Sequence, residues 1–225
     1  MDKIKIHVLR TGEVRVSPYL PFGGDDCSII KASNQGRIAK GGAIDEQLAE
    51  LGMKPSDVDY VLISHLDSDH ANGLRLVKDA KKILVSKAEM IGTTRKNFQI
   101  RIRFQKRWWE GVDIETFDWN GTEGPVGKSY DVLGDDSLLM VNIPGHSESL
   151  CALKIKNAEG KYVLLFADGG YATKSWRDMI TSGITLDKKM QRQSLQWIRE
   201  QSMSPDRIAS LATHDTDVQP HVIEL

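Results

Sequence analysis

Residues 64–73 read Ser64-His65-Leu66-Asp67-Ser68-Asp69-His70-Ala71-Asn72-Gly73, directly after the apolar run 58–63. His65, Asp67, Asp69 and His70 thus fall within six positions at the exit of an expected strand. Imidazole nitrogen and carboxylate oxygen together suit zinc, iron or manganese, and a tight turn can aim several such groups at one point. No thiolate takes part, which separates the pattern from structural zinc-finger sites. An Asp/Ser-rich turn can also cap the next helix. A cap uses one acidic residue, however, and leaves a second carboxylate and two histidines without a reason.

The same arrangement recurs further along. The apolar stretch 137–143 ends in Pro144-Gly145-His146-Ser147, the nearly all-apolar stretch 161–167 ends in Asp168-Gly169-Gly170, and 208–213 ends in His214-Asp215. Four of the six histidines lie in these strand-exit positions, and only His7 and His221 lie elsewhere. Strand exits are where irregular loops converge, so this spacing is that of a site built on a rigid scaffold.

Hydrophobic periodicity places strands near 3–9, 27–32, 58–63, 82–86, 113–117, 137–143, 150–156, 161–167 and 208–213. It places helices near 43–52, 71–80, 87–96 and 187–203, the last with an apolar stripe of Met190, Leu195 and Ile198 and with Pro205 beyond its end. Strands interleaved with helices imply an α/β protein, two sheets with helices outside. With no repeat and no low-complexity tract, the 225 residues read as one domain, 1–225. The Gly-rich stretch 116–127 is a loop between strands.

Thirty basic residues against 31 acidic ones give a net charge of −1, so no global charge argues for nucleic acid or anionic lipid. The first ten residues alternate polar and apolar without the apolar block of a signal peptide, and no run approaches the roughly 18 residues of a membrane span. A cytoplasmic protein with no membrane partner is expected, with Cys27 and Cys151 as free buried thiols. Charge is concentrated in 95–109, Arg-Lys-Asn-Phe-Gln-Ile-Arg-Ile-Arg-Phe-Gln-Lys-Arg-Trp-Trp. There Arg101, Arg103, Lys106 and Arg107 either meet an anionic partner, with Trp108 and Trp109 as stacking faces, or face water while Ile100, Ile102 and Phe104 alternate inward. Alternation alone accounts for the charges. The tryptophans then pack on the domain or on a second subunit, which leaves a homodimer open.

These motifs resemble the metallo-β-lactamase-fold hydrolases, whose pattern is His-x-His-x-Asp-His followed by a distant His, an Asp and a final His; the likeness spans 60–215. Within that superfamily the chain is most similar to the N-acyl homoserine lactonase group, through Tyr171 three residues after Asp168, the turn 144–147, the His214-Asp215 pair and the run 44–61. The resemblance implies an αββα sandwich, two mixed β-sheets flanked by helices. It implies two divalent ions, one on His65, Asp67 and His146, the other on Asp69, His70 and His214, with Asp168 bridging. Zinc is the expected metal, with iron or manganese admitted by Asp67. The implied reaction is the opening of a small-molecule lactone or related carboxylic ester by a metal-bridging hydroxide. Asp69 would orient or deprotonate the nucleophile and Tyr171 would donate to the carbonyl oxygen; Asp215 is a candidate support for His214 or a neighbour, while Asp217 is read as solvated.

One position departs from the pattern. Asp67 stands where most members carry a second histidine. Flavodiiron oxygen reductases carry a Glu there, and the nuclease-like domain of bacterial DNA-uptake proteins shares His-x-Asp-x-Asp-His. A phosphodiesterase or nuclease, with nucleic acid as a partner under that reading alone, and a di-iron redox protein are therefore the alternatives.

Overall fold

A computed structural model describes residues 4–9, 13–15, 35–96 and 98–225; the expected strand 27–32, with Cys27, lies outside the described residues. The elements run β1 (Lys5–Val8), β2 (Glu13–Arg15), β3 (Gln35–Arg37), α1 (Ile44–Glu50), β4 (Tyr60–Leu62), α2 (Ser68–Ala71), β5 (Lys82–Ser86), α3 (Lys87–Gly92) and α4 (Phe98–Arg103). They continue with β6 (Glu115–Phe117), β7 (Ser129–Asp131), β8 (Leu138–Asn142), β9 (Cys151–Lys156), β10 (Tyr162–Leu165), α5 (Thr173–Arg177), α6 (Lys188–Met203), β11 (Arg207–Leu211) and β12 (His221–Glu224). The fold is α/β, and it contains two compact units.

The unit built on Gly36–Asp118 holds the parallel sheet β4-β5-β6, in register Leu62↔Leu84 and Leu84↔Glu115. Its middle strand buries Ile83, Leu84 and Val85 in succession, the continuous apolar run that a parallel strand covered on both faces requires. Ser86 closes that strand and caps α3, its Oγ accepting the Glu89 N–H at 3.1 Å. The expected helix 71–80 is interrupted: α2 stops at Ala71, and after Asn72-Gly73 only a 3-10 turn, Leu74–Val77, follows. Residues 98–103, read from sequence as an alternating stretch, are helical. Ile100, Arg103 and Phe104 are buried, the i, i+3, i+4 spacing of one helix face.

The unit built on Trp119–Leu225 holds a mixed sheet in the order β11-β10-β9-β8-β7, parallel only between β10 and β11. Its core gathers Leu139, Val141 and Ile143 from the β8 side, Leu164 and Phe166 from β10 and its exit, and Leu195 and Ile198 from α6. Each fully buried side chain of this size contributes about 1.5–3 kcal/mol, which is why α6 lies where its expected stripe can reach the sheet. The strand reading places Cys151 in β9, where its buried thiol forms no disulfide and donates to the Ser149 carbonyl at 3.4 Å. β1 pairs antiparallel with β12, Lys5 opposite Glu224. Elements missed by the sequence reading, β2, β3, β7, β12 and α5, have three to five residues, too few to display a period. Among the described residues no helix is long and apolar enough to cross a membrane.

Candidate functional site

The expected ligands divide between the two units. In the first, β4 delivers the chain to residues 64–67, and the Ile63 N–H extends the ladder to the Leu84 carbonyl at 2.9 Å. Leu66, fully buried, pins the loop, and its N–H donates to Oε1 of buried Glu89 at 3.2 Å. His65 is fully buried on one side of that anchor, its ring centroid 4.0 Å from that of His70. Its Nδ1 lies 3.1 Å from Ser64 Oγ, and its Nε2 lies 3.4 Å from Asp67 Oδ2. Asp69 is exposed, with Oδ2 3.7 Å from His70 Nε2.

Asp67 occupies the N-cap position of α2, its carbonyl accepting the His70 and Ala71 N–H groups at 3.0 and 2.9 Å, yet its carboxylate makes no cap hydrogen bond. That carboxylate is taken by Arg103. Nε donates to Oδ1 at 2.9 Å and Oδ2 at 3.2 Å, and Nη2 donates to Oδ2 at 2.6 Å, with both side chains buried. The capping alternative therefore fails for the side chain. The expectation that Arg103 faces water is corrected too: in a helix its position shares the face of Ile100 and Phe104, and a guanidinium there needs a carboxylate. Arg101, Lys106 and Arg107 are exposed, and the Arg107 guanidinium lies 4.5 Å over the Trp108 ring.

In the second unit, His146 leaves β8 through a turn that only glycine can make. Gly145 has φ +131°, and a Cβ there would lie 2.2 Å from the Gln191 backbone N of α6. Its carbonyl accepts Leu186 N–H, Asp187 N–H and Thr185 Oγ1, so the turn is moored on three sides. His146 Nδ1 lies 2.8 Å from the Ile184 carbonyl; a carbonyl only accepts, so Nδ1 carries a proton, and in the neutral ring Nε2 is the nitrogen with the lone pair. That Nε2 stands 3.5 Å from Asp168 Oδ2, while the other carboxylate oxygen stands 3.3 Å from His214 Nε2. Asp168 is buried, and Ala167 before it is left-handed at φ +43°, a strained turn at the strand exit. The Tyr171 ring stands nearly perpendicular to both imidazoles, its centroid 5.9 Å from that of His146 and 5.3 Å from that of His214.

Asp215, expected beside the His214 ring, instead joins the loop to α5: Oδ2 accepts the Thr173 N–H and hydroxyl, both at 2.8 Å, and Oδ1 accepts the Asp217 N–H at 3.2 Å. Burial works to raise its pKa, but the Thr173 and Asp217 hydrogen bonds, with Lys174 nearby, outweigh it and hold the carboxyl below the usual carboxylate range. Glu89, Arg103 and Thr173 were all absent from the sequence reading of the site.

The donor set fits divalent ions. The imidazole–carboxylate separations of 3.3, 3.4 and 3.5 Å exceed the roughly 2.7–2.9 Å of charge-assisted hydrogen bonds. They match the separation of about 3.4 Å between two ligands of one tetrahedral ion with bonds near 2.0–2.2 Å.

An α/β scaffold with imidazole–carboxylate groups at its strand exits defines a class of metal-binding protein. The chain belongs to the metallo-beta-lactamase superfamily, whose family model matches residues 32–160. It is 27% identical over 184 residues to the N-acyl homoserine lactonase AttM of Rhizobium radiobacter, covering 78% of this chain and 65% of that protein. A quorum-quenching N-acyl homoserine lactone hydrolase shares the fold with a TM-score of 0.72 at 18% identity, covering 96% of this chain and 94% of the other. An N-acyl homoserine lactone hydrolase solved with N-hexanoyl-L-homoserine at its catalytic metal centre gives 0.67 at 19% identity, covering 91% of this chain and 76% of the other.

Proposed function

We propose that this chain is a metal-dependent hydrolase, acting as one domain, that opens a lactone or related carboxylic ester. The observation that carries the reading is the set of imidazole–carboxylate pairs at tetrahedral ligand spacing, built on the buried carboxylates of Asp67 and Asp168, in a chain similar to proteins named as lactonases. Two divalent ions would be held, one by His65, Asp67 and His146, the other by Asp69, His70 and His214, with Asp168 common to both. Bound there, such ions supply a water acidic enough to ionise at neutral pH and positive charge for a carbonyl oxygen.

The chain's own residues do the rest. His146, with its proton fixed on Nδ1 by Ile184, offers Nε2 with no tautomer left to choose. Asp69, the most exposed of the carboxylates, would orient the nucleophile or take up its proton. Tyr171 is fixed between two histidines and can donate its phenol to the carbonyl oxygen as negative charge develops there. The phosphodiesterase alternative loses one of its four basic residues, because Arg103 is committed to Asp67.

The test is ring-opening of a small lactone panel, followed with a pH indicator, on protein loaded separately with zinc, manganese and iron. The reading expects turnover that chelator abolishes and metal restores. Silence on every lactone with two ions bound, alongside cleavage of an aryl phosphodiester, overturns it in favour of the phosphodiesterase.

A further inference from the structure

The buried pair Asp67–Arg103 stands where the superfamily pattern has a neutral imidazole. Arg103 occupies both carboxylate oxygens in a fork while Oδ2 still faces His65 Nε2 at 3.4 Å. Two consequences follow from elementary chemistry. The fork fixes the carboxylate plane, so Asp67 is aimed without help from an ion. The guanidinium cannot be deprotonated in a protein, so it withdraws electron density from the carboxylate and repels a cation approaching it.

We propose that Asp67 and Arg103 act as one neutral unit in place of the missing histidine, and that Arg103 makes the ion position served by His65 and Asp67 the weaker of two. Arg103 is a positioning residue, acting through Asp67. The inference rests on the two-ion reading above, and it predicts unequal loading, one ion held tightly and one loosely.

The experiment is zinc uptake by the whole metal-free protein, measured by competition with a chromophoric chelator, for the wild type and four variants. Wild type is expected to take up one zinc tightly and a second at least tenfold more weakly. Arg103→Met should tighten the weak step at least tenfold, whereas Arg103→Lys, which keeps the charge and loses the fork, should leave it weak. Asp67→His alone sets a buried guanidinium beside the position and should lose the second zinc. Asp67→His combined with Arg103→Met, which leaves no buried charge unpaired and remains usable if Arg103→Met does not fold, should restore two steps of similar affinity.

A merely structural pair would lower melting temperature in every variant without tightening the weak zinc step in Arg103→Met and abolishing it in Asp67→His. Equal steps in wild type, or an unchanged weak step in both Arg103→Met and the double variant, overturn the proposal. Wild type that binds no zinc at either position is a different result: it removes the two-ion reading itself.

Discussion

Replacing Gly145 by alanine tests whether the turn that presents His146 is set by its contact with α6. The new Cβ would stand 2.2 Å from Gln191 N, 2.4 Å from Gln191 Cα and 2.6 Å from Gln191 Cβ, at a backbone φ of +131°. Ordinary carbon contacts lie near 3.5–4.0 Å, so turn and helix must separate by about 1 Å or more. The left-handed backbone costs about 1–3 kcal/mol, and forcing extra volume into a packed contact costs about 1–3 kcal/mol more. Neither side can yield easily, because Leu186, Asp187 and Thr185 all bond to the Gly145 carbonyl and Ser194 Oγ bonds to the Pro144 carbonyl at 2.7 Å. A loss of about 3–5 kcal/mol is expected, or roughly 6–20 °C in melting temperature for a chain of this size. Gly160→Ala is the control, since Gly160 has φ +80° with open space around its Cβ, so it carries the backbone cost alone. Urea denaturation of both variants isolates the steric part, expected at about 2 kcal/mol. If Gly145→Ala costs no more than Gly160→Ala, the contact does not set the turn and the reasoning is refuted.

Tyr171→Phe keeps the ring against His146 and His214 and removes the phenol; kcat should fall roughly 10²-fold while bound metal is unchanged, and unchanged kcat would reduce Tyr171 to a packing role. Asp215→Asn weakens the tie between the His214 loop and Thr173 and should cost about 1–3 kcal/mol at pH 7. Because the folded carboxyl of Asp215 sits below its ordinary value, its contribution is present above about pH 4 and is lost as pH falls through the folded value. Urea midpoints of wild type and Asp215→Asn should therefore converge at acid pH, and a constant gap from pH 7 to pH 3 would contradict that origin.

What was legible in the sequence is what long or repeated patterns carry. Strands 82–86 and 150–156 and helix 187–203 each have enough consecutive positions for apolar periodicity to outvote local propensity, and each is present within a residue of its expected bounds. The helix expected over 71–80 failed at Asn72-Gly73, where turn chemistry defeats periodicity. The ligand-type residues were visible because each follows a strand, but their supports were not, since those come from distant positions: the Ile184 carbonyl to His146, Glu89 to Leu66, Thr173 to Asp215. Arg103 is instructive. Ile100, Ile102 and Phe104 fit a period of two, while Ile100, Arg103 and Phe104 fit a helical face equally well. Choosing the second would have put a buried cation in the chain with the unexplained carboxylate of Asp67 as its natural partner.

That pairing also bears on why a carboxylate stands at position 67 at all. A buried Arg–Asp pair is a poor investment in stability, because desolvating both charges consumes most of their attraction, and apolar replacements are often neutral or better. Losing one member is another matter and costs about 3–5 kcal/mol, so neither residue tolerates being changed alone. The pair is thus held together without being required by the fold, and its Oδ2 points at His65 Nε2, not into a hydrophobic core. At an effective dielectric near 20, two unit charges about 4 Å apart interact by about 4 kcal/mol, enough to shift a binding constant by several hundredfold or more. An isolated Asp67 would have strengthened the site by that order, and an isolated Arg103 would have weakened it equally. Together they return the local charge to that of the histidine they replace, while substituting a hard, rigidly held oxygen for an imidazole nitrogen.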